Sequence, residues 1–273
     1  MTRDAPIGVF DSGVGGLTVV HELVRGLPHE SIIYFGDTAR VPYGPKSADT
    51  VRRYSREAAA YLVSRGVKLM VIACNTATAH AYEALRASLC IPVIGVIQPG
   101  ARAAVQATQT QRVGVIGTAG TIRSGAYDYA VRALLPDARV YAQACPLFVP
   151  IIEEGWSSHQ VARLAAQEYL HPLRDVDVDV LILGCTHYPL LRDVISETLG
   201  PSVTLVDSAA ETAREVAQLL TEADQLSQRD QPGALHFLAS DSPLRFREVG
   251  RRFLGEVVRD VEHVDVEGFD RAA

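Results

Sequence analysis

No stretch of this 273-residue chain approaches the ~20 consecutive apolar residues that a bilayer-spanning helix needs, so no membrane partner is expected. A basic face is missing as well. Lys and Arg number 26 against 32 Asp and Glu, a net charge of −6. No run of basic residues interleaved with aromatics compensates, which weighs against nucleic acid as the main partner, since neutralising phosphates takes positive charge. Residues 1–6 enter a strand-like run without a signal-peptide pattern, which predicts a cytoplasmic location. Cysteine is scarce: Cys74, Cys90, Cys145 and Cys185 contain no CxxC pair and no zinc-ligand spacing with histidine, so no metal site is expected. An even count permits disulfides, but a cytosolic α/β chain keeps its thiols reduced.

What is present is an ordinary globular balance, 48% hydrophobic and 21% charged, over enough chain for roughly two domains. Strand-like runs at 7–10, 31–35, 68–73, 112–117, 138–142, 178–183, 203–206 and 234–238 alternate with helical patterns at 17–27, 48–65, 77–89, 101–109, 126–135, 159–171, 189–199 and 209–223. That alternation predicts an α/β fold of mainly parallel sheets flanked by helices, with ligands at the carboxyl ends of the strands. An internal repeat is visible. Ile7-Gly8-Val9-Phe10-Asp11-Ser12-Gly13 matches Val113-Gly114-Val115-Ile116-Gly117-Thr118-Ala119-Gly120 in pattern, at an offset of 106 residues, and Cys74 and Cys185 are 111 apart. Duplicated halves would give such offsets, although Gly-Val-Ile strands are common enough to arise by chance. The expected division is residues 1–98 with 208–273 as one domain and 99–207 as the other. Residues 224–233 read as a polar surface loop, and 267–273 as a frayed end.

Two segments carry the strongest chemical signal. Val71-Ile72-Ala73-Cys74-Asn75-Thr76 and Leu181-Ile182-Leu183-Gly184-Cys185-Thr186-His187 both run a buried strand into a thiol and then into small polar residues. Each sulfur is expected at a strand end beside a helix amino terminus, where the dipole and free N–H groups favour a thiolate. Cys90 and Cys145 lack that setting and read as core thiols. Asp11-Ser12-Gly13-Val14-Gly15-Gly16 is either a plain strand-to-helix turn or a cradle of N–H groups. It lacks the full dinucleotide and Walker patterns, and the Asp11 carboxylate suits an ammonium better than a phosphate. Pro42-Tyr43-Gly44 reads as a tight turn whose backbone N–H groups could hold a carboxylate. Asn75, Thr76, Thr186 and His187 add donors and acceptors suited to a zwitterion, and His187 can relay protons or shift a neighbouring thiol. His21, His80 and His159 fall in helical stretches and read as structural or surface residues.

Together, DSGVGGLTV (11–19), PYG (42–44), CNTA (74–77), GTAGTIRSGAY (117–127) and GCTHYPLL (184–191) resemble, in order and spacing, the cofactor-independent aspartate/glutamate racemase superfamily and within it the glutamate racemases. The resemblance implies two pseudo-symmetric α/β domains with the active site in the cleft between them. It implies Cys74 and Cys185 as paired acid/base residues and Asp11, Ser12, Tyr43, Gly44, Asn75, Thr76, Thr186 and His187 as substrate-binding positions. Asp11 and His187 are further implied to assist the thiols, with Thr118, Thr121 and Glu153 nearby. It implies glutamate as substrate, no cofactor, D-glutamate supplied to peptidoglycan synthesis, and a chain that forms homodimers in many relatives. Thr-His after the second cysteine matches the glutamate enzymes, where aspartate-specific relatives commonly carry an acidic residue. Two opposed thiols suit racemisation, because a proton leaves one face of the α-carbon and another arrives on the opposite face. A modest lowering of the thiol pKa from ~8.5 would populate the thiolate. The rival readings are an aspartate or other amino-acid racemase of the same superfamily, a two-lobed solute-binding module and a single-thiol hydrolase.

Overall fold

Continuous apolar segments such as Ile7-Gly8-Val9-Phe10 and Leu181-Ile182-Leu183 bury both faces of a strand, as in parallel sheets covered on each side by helices. The computed structural model describes residues 2–266 and arranges them that way. In chain order the elements begin with β1 (Ile7–Asp11), α1 (Leu17–Gly26), β2 (Ile32–Gly36), α2 (Ala48–Ser64), β3 (Leu69–Ile72), α3 (Asn75–Ser88), β4 (Val93–Gly95) and α4 (Ile97–Ala107). They continue with β5 (Arg112–Gly117), α5 (Ala119–Arg123), α6 (Ala126–Leu134), β6 (Arg139–Ala144), α7 (Phe148–Glu153), α8 (Gln160–Asp175), β7 (Val180–Gly184), a 3-10 turn (Tyr188–Leu191) and α9 (Arg192–Leu199). The chain then forms β8 (Thr204–Asp207), α10 (Ser208–Glu222), β9 (Leu235–Ala239), α11 (Pro243–Leu254) and β10 (Val261–His263).

Two sheets result, ordered β10-β9-β2-β1-β3-β4 and β6-β5-β7-β8, and every pairing is parallel. Four strands of the first sheet, β2-β1-β3-β4, therefore share their order with the whole of the second. The weak sequence repeat has a structural counterpart: β1 and β5 are equivalent central strands, and β3 and β7 are their equivalent neighbours. In each sheet the chain steps to one side after its first strand and to the other after its second. The carboxyl ends of β1 and β3, and of β5 and β7, thus flank topological switch points, where a crevice opens in doubly wound sheets.

Side-chain alternation sorts the core. Ile7, Val9, Ile32, Tyr34, Leu69 and Val71 face an apolar cluster that runs on into the second half through Phe148, Leu181 and Ile195. Phe10, Phe35, Met70 and Ile72 face α2 and α3, and Val113, Val115, Val180 and Ile182 face α4 and α6. Helix starts follow local chemistry: Ser47 accepts from Thr50 N at 3.3 Å to begin α2, and Asp207 accepts from Ala209 N at 2.9 Å to begin α10.

Several expectations need correction. β4, β10, α5, α7 and α11 were not foreseen. His159 stands just before α8 as its cap, accepting from Val161 N at 3.2 Å. Cys145 is buried, but Cys90 is exposed, because it follows the end of α3 rather than packing beneath it. The 224–233 segment is the irregular, largely exposed loop expected, and it is tethered to the body of the protein. Glu30 accepts from Ser227 N at 2.7 Å, and Lys68 Nζ reaches Glu30 at 2.6 Å and Gln225 O at 2.8 Å. Residues 267–273 lie outside the described residues.

Candidate active site

The carboxyl ends of β1 and β3 set the first half of the site. Asp11 closes β1 and is 1% exposed; its Oδ2 accepts from Gly13 N at 2.9 Å, while Oδ1 is buried without a hydrogen-bond partner. Cys74 follows β3 and caps α3, its Sγ accepting from Ala77 N at 3.4 Å and lying 3.6 Å from Ser12 Oγ. The expected helix amino terminus is therefore there, but the expected lowering of the thiol is not. Burial first, and then the charge of Asp11, push Cys74 up to about 12 against the weaker pull of its hydrogen bonds. Asp11 is itself raised by burial, an effect the charge of His187 only partly offsets.

β7 and α7 set the second half. Cys185 follows β7 and is buried, but no α-helix begins there; the chain passes through Thr186 and His187 into the 3-10 turn. Its electrostatic partner is His187, whose Nδ1 lies 4.0 Å from Cys185 Sγ and whose Nε2 lies 2.9 Å from Glu153 Oε1. Burial pulls His187 down, but the contacts with Cys185 and Glu153 outweigh it and hold the imidazole up at about 10. Burial likewise pulls Glu153 up, and the hydrogen bond and charge of His187, with Arg245 and Arg252, bring it below the usual carboxylate range.

The halves meet through these loops. A Cβ on Gly15 would lie 2.3 Å from both Thr186 Oγ1 and His187 Nδ1, so only a glycine lets the Asp11 turn press against the Cys185 loop. Thr18 Oγ1 donates to Thr186 O at 3.1 Å. Across the other edge, Tyr127 OH donates to Asn75 Oδ1 at 2.7 Å, leaving Asn75 Nδ2 buried and unpartnered. Thr76, Thr118 and Thr121 form a closed triangle of hydroxyls with sides of 2.8, 3.1 and 3.1 Å. Gly44 lies against Thr118 and Gly120, so the Pro-Tyr-Gly turn closes on the second half.

The positions named from the sequence as acid/base and binding candidates adjoin one another at these strand ends, with one difference of detail. The Tyr43 hydroxyl donates to Asp37, which also accepts from Arg40 Nε at 2.8 Å. The Tyr43 ring is thus an anchor for the turn, and the turn's backbone is what remains for a ligand. The sequence gives no separate signal for Thr18, Tyr127 or Phe253, whose ring meets His187 edge to face at 5.3 Å. Thr18 and Tyr127 sit inside the conspicuous motifs but look like helix interior, and Phe253 carries no local polar signal. Among the described residues, no group of three or more His, Cys, Asp and Glu side chains is arranged to hold a metal ion.

Chemically, the cluster offers a buried neutral thiol beside Ser12, a second thiol beside a charged imidazole, an unpartnered carboxylate oxygen and an unpartnered amide donor. The last two complement an ammonium and a carboxylate. Among the described residues, no helix is long and apolar enough to cross a membrane.

Comparison with known proteins bears on this cluster. The model of the family described as Asp/Glu/Hydantoin racemase matches residues 7–216. A glutamate racemase of Geobacter metallireducens is 57% identical over 261 residues, covering 96% of this chain and 97% of its own. The crystal structure of a glutamate racemase isoform from Bacillus anthracis superposes with a TM-score of 0.93 at 42% identity, over 96% of this chain and 98% of that one. The glutamate racemase of Francisella tularensis, solved in complex with D-glutamate, gives 0.92 at 40% identity, over 97% and 99%.

Proposed function

This chain belongs to the Asp/Glu/Hydantoin racemase family, and we propose that it interconverts L- and D-glutamate by passing protons between the α-carbon and two cysteines. The observation that carries the reading is the pairing of Cys74 and Cys185 at equivalent strand ends of two sheets with the same strand order, beside one shared polar cluster. We take the two sheets as the cores of two domains, 1–98 with 208–273 and 99–207, that close over the substrate. The D-glutamate formed supplies peptidoglycan synthesis in the cytoplasm, and the homodimer common among relatives is the expected assembly.

In this mechanism the substrate ammonium meets Asp11 Oδ1 and the α-carboxylate meets Asn75 Nδ2 with the hydroxyls of Thr76 and Thr186. The backbone of Tyr43 and Gly44 takes the distal carboxylate. Desolvation of Asp11 and Asn75 is costly while they are unpartnered, so a zwitterion that satisfies both is favoured over solvent. One sulfur, as thiolate, takes the α-proton and becomes a thiol. The electron pair left on carbon is stabilised by oriented donors in a dry site. The opposite thiol then delivers its proton to the other face and becomes the thiolate. Cys74, held neutral by burial, is the proton donor in the resting state. His187, charged and tied to Glu153, is the donor facing Cys185.

The test is incubation with each enantiomer of glutamate in D₂O. Loss of optical rotation with α-deuterium in the product is expected, and Cys74→Ala and Cys185→Ala should each lower turnover by at least about 1000-fold. Wild-type turnover in either variant refutes the two-base reading. Faster turnover of aspartate than of glutamate refutes the substrate.

A further inference from the structure

Helix α11 follows β9 and belongs to the first sheet, where Phe246 packs 5.8 Å from the Tyr34 ring. Its buried positions Phe246, Val249 and Phe253 recur at helical spacing and fix which face meets the protein. Arg245 and Arg252, seven residues apart, extend from the same side of the helix, and both reach the turn that ends α7 in the second half. Arg245 lies 3.8 Å from the Glu154 carboxylate. Arg252 Nη1 donates to the Glu153 carbonyl, and its guanidinium packs on Gly155 so closely that a Cβ there would lie 3.1 Å from Cζ. Gly155 has a φ of +76°, so the turn that admits the guanidinium is one a glycine makes readily. The arginine thus caps the carboxyl end of α7, where a cation complements free carbonyls. The next residue, Phe253, sets its ring edge to face against His187.

These contacts converge on one relay. Glu153 is the last residue of α7, its carboxylate holds His187 Nε2, and His187 Nδ1 faces Cys185. Among the described residues, no corresponding contact from α11 reaches Cys74, whose hydrogen-bond partners are Ser12 and Ala77. We propose that Arg252 and Phe253 are positioning residues for the Cys185 side of the site, holding the Glu153–His187 pair in line with that thiol from a helix of the opposite half. The inference rests on the two-base reading above. It adds that proton transfer at one thiol is governed by an element the other thiol does not share.

The experiment compares Arg252→Ala, Arg252→Lys, Phe253→Leu and, as control, Arg251→Ala, whose side chain pairs with Glu256 at 3.1 Å from the same turn. Rates are measured with L- and D-glutamate, each unlabelled and α-deuterated. Arg252→Ala and Phe253→Leu should lower kcat/KM about fivefold, the scale of one ordinary hydrogen bond or packing contact, and Arg252→Lys should regain most of the loss in Arg252→Ala. The isotope effect is the decisive readout. Where Cys185 takes the α-hydron, slower transfer makes cleavage more rate-limiting and the α-deuterium effect rises. In the opposite direction Cys185 delivers second, so cleavage by Cys74 becomes more reversible and the effect falls. Opposite movement for the two enantiomers supports the assignment. Equal movement, no movement, or a matching loss in Arg251→Ala overturns it. If wild type fails to racemise glutamate, or Cys185→Ala stays active, the two-base reading itself has failed. If those controls behave and the α11 variants match wild type, only the positioning role has failed.

Discussion

Replacing Gly15 by alanine tests whether the two halves must touch for the reaction to proceed. The added methyl would sit 2.3 Å from His187 Nδ1 and Thr186 Oγ1 and 2.5 Å from His187 Cε1. Non-bonded heavy atoms prefer about 3.5 Å, so the overlap is about 1 Å. Neither neighbour is free to yield. His187 is tied to Glu153 at 2.9 Å and backed by Phe253, and the Thr186 carbonyl is held by Thr18. Relief therefore comes from moving the Asp11 turn away from the Cys185 loop by about an ångström, and a misplacement of that size costs on the order of 100-fold in rate. Stability should change less. Overpacking costs about 1–3 kcal/mol and the lost freedom of the unfolded glycine returns about 0.4–1, so the Tm falls by only a few degrees. Gly26→Ala is the matched control, since a Cβ there meets nothing within 4 Å at the end of α1. The assay is polarimetric racemisation of both enantiomers alongside calorimetric melting. Wild-type kcat/KM in Gly15→Ala, or an equal loss in Gly26→Ala, would refute the reasoning.

Two further outcomes follow from buried charge. His187 is held up at about 10 from an ordinary 6.5, so its contribution to stability is complete below about pH 6.5 and is lost as the pH rises through 10. Unfolding measured from pH 7 to 10 should show wild type losing stability relative to His187→Gln, and a pH-independent difference would contradict this. Lys68 and Glu30, each with a side chain 2% exposed and 2.6 Å apart, tie β3 to the return crossing. Lys68→Met strands a buried carboxylate and should cost about 3–5 kcal/mol by urea denaturation, with much of it regained in the Lys68→Met, Glu30→Met pair. A loss under about 1 kcal/mol would mean that the crossing is held by its other contacts.

The α/β class and eight of the ten described strands were legible because buried parallel strands are continuous apolar runs. The missed pieces share physical reasons. Val93–Gly95 and Val261–His263 span three residues each, too short for periodicity to register. Helix α11 hides its apolar stripe of Phe246, Val249 and Phe253 among Arg245, Arg247, Glu248, Arg251 and Arg252. The candidate site was legible at the strand ends, where Asp11, Cys74, Cys185 and His187 stand next to their motifs. It was not legible where a residue acts across the fold. Nothing local to Gly15 marks it as the contact point for His187, and nothing local to Phe253 marks it as a wall of the site. The expected lowering of Cys74 failed for a related reason: a helix amino terminus is visible in sequence, but the burial that outweighs it comes from an apolar cluster gathered from distant segments such as Phe10, Tyr43 and Leu238.

The two sheets share a strand order but give their thiols different neighbours, Ser12 and Asp11 for Cys74, His187 and Glu153 for Cys185. Enantiomers have equal free energy, so for a racemase kcat/KM must be the same in both directions, in wild type and in every variant. Unequal thiols cannot favour one product. They can only divide the shared barrier differently between binding and chemistry, giving one enantiomer the higher kcat together with the proportionally higher KM. A change confined to the Cys185 side therefore lowers both kcat/KM values by one common factor while shifting this division. That is why the α11 variants have to be read through isotope effects in each direction: a ratio of kcat/KM values that departed from one would report an error in measurement, not a property of the site.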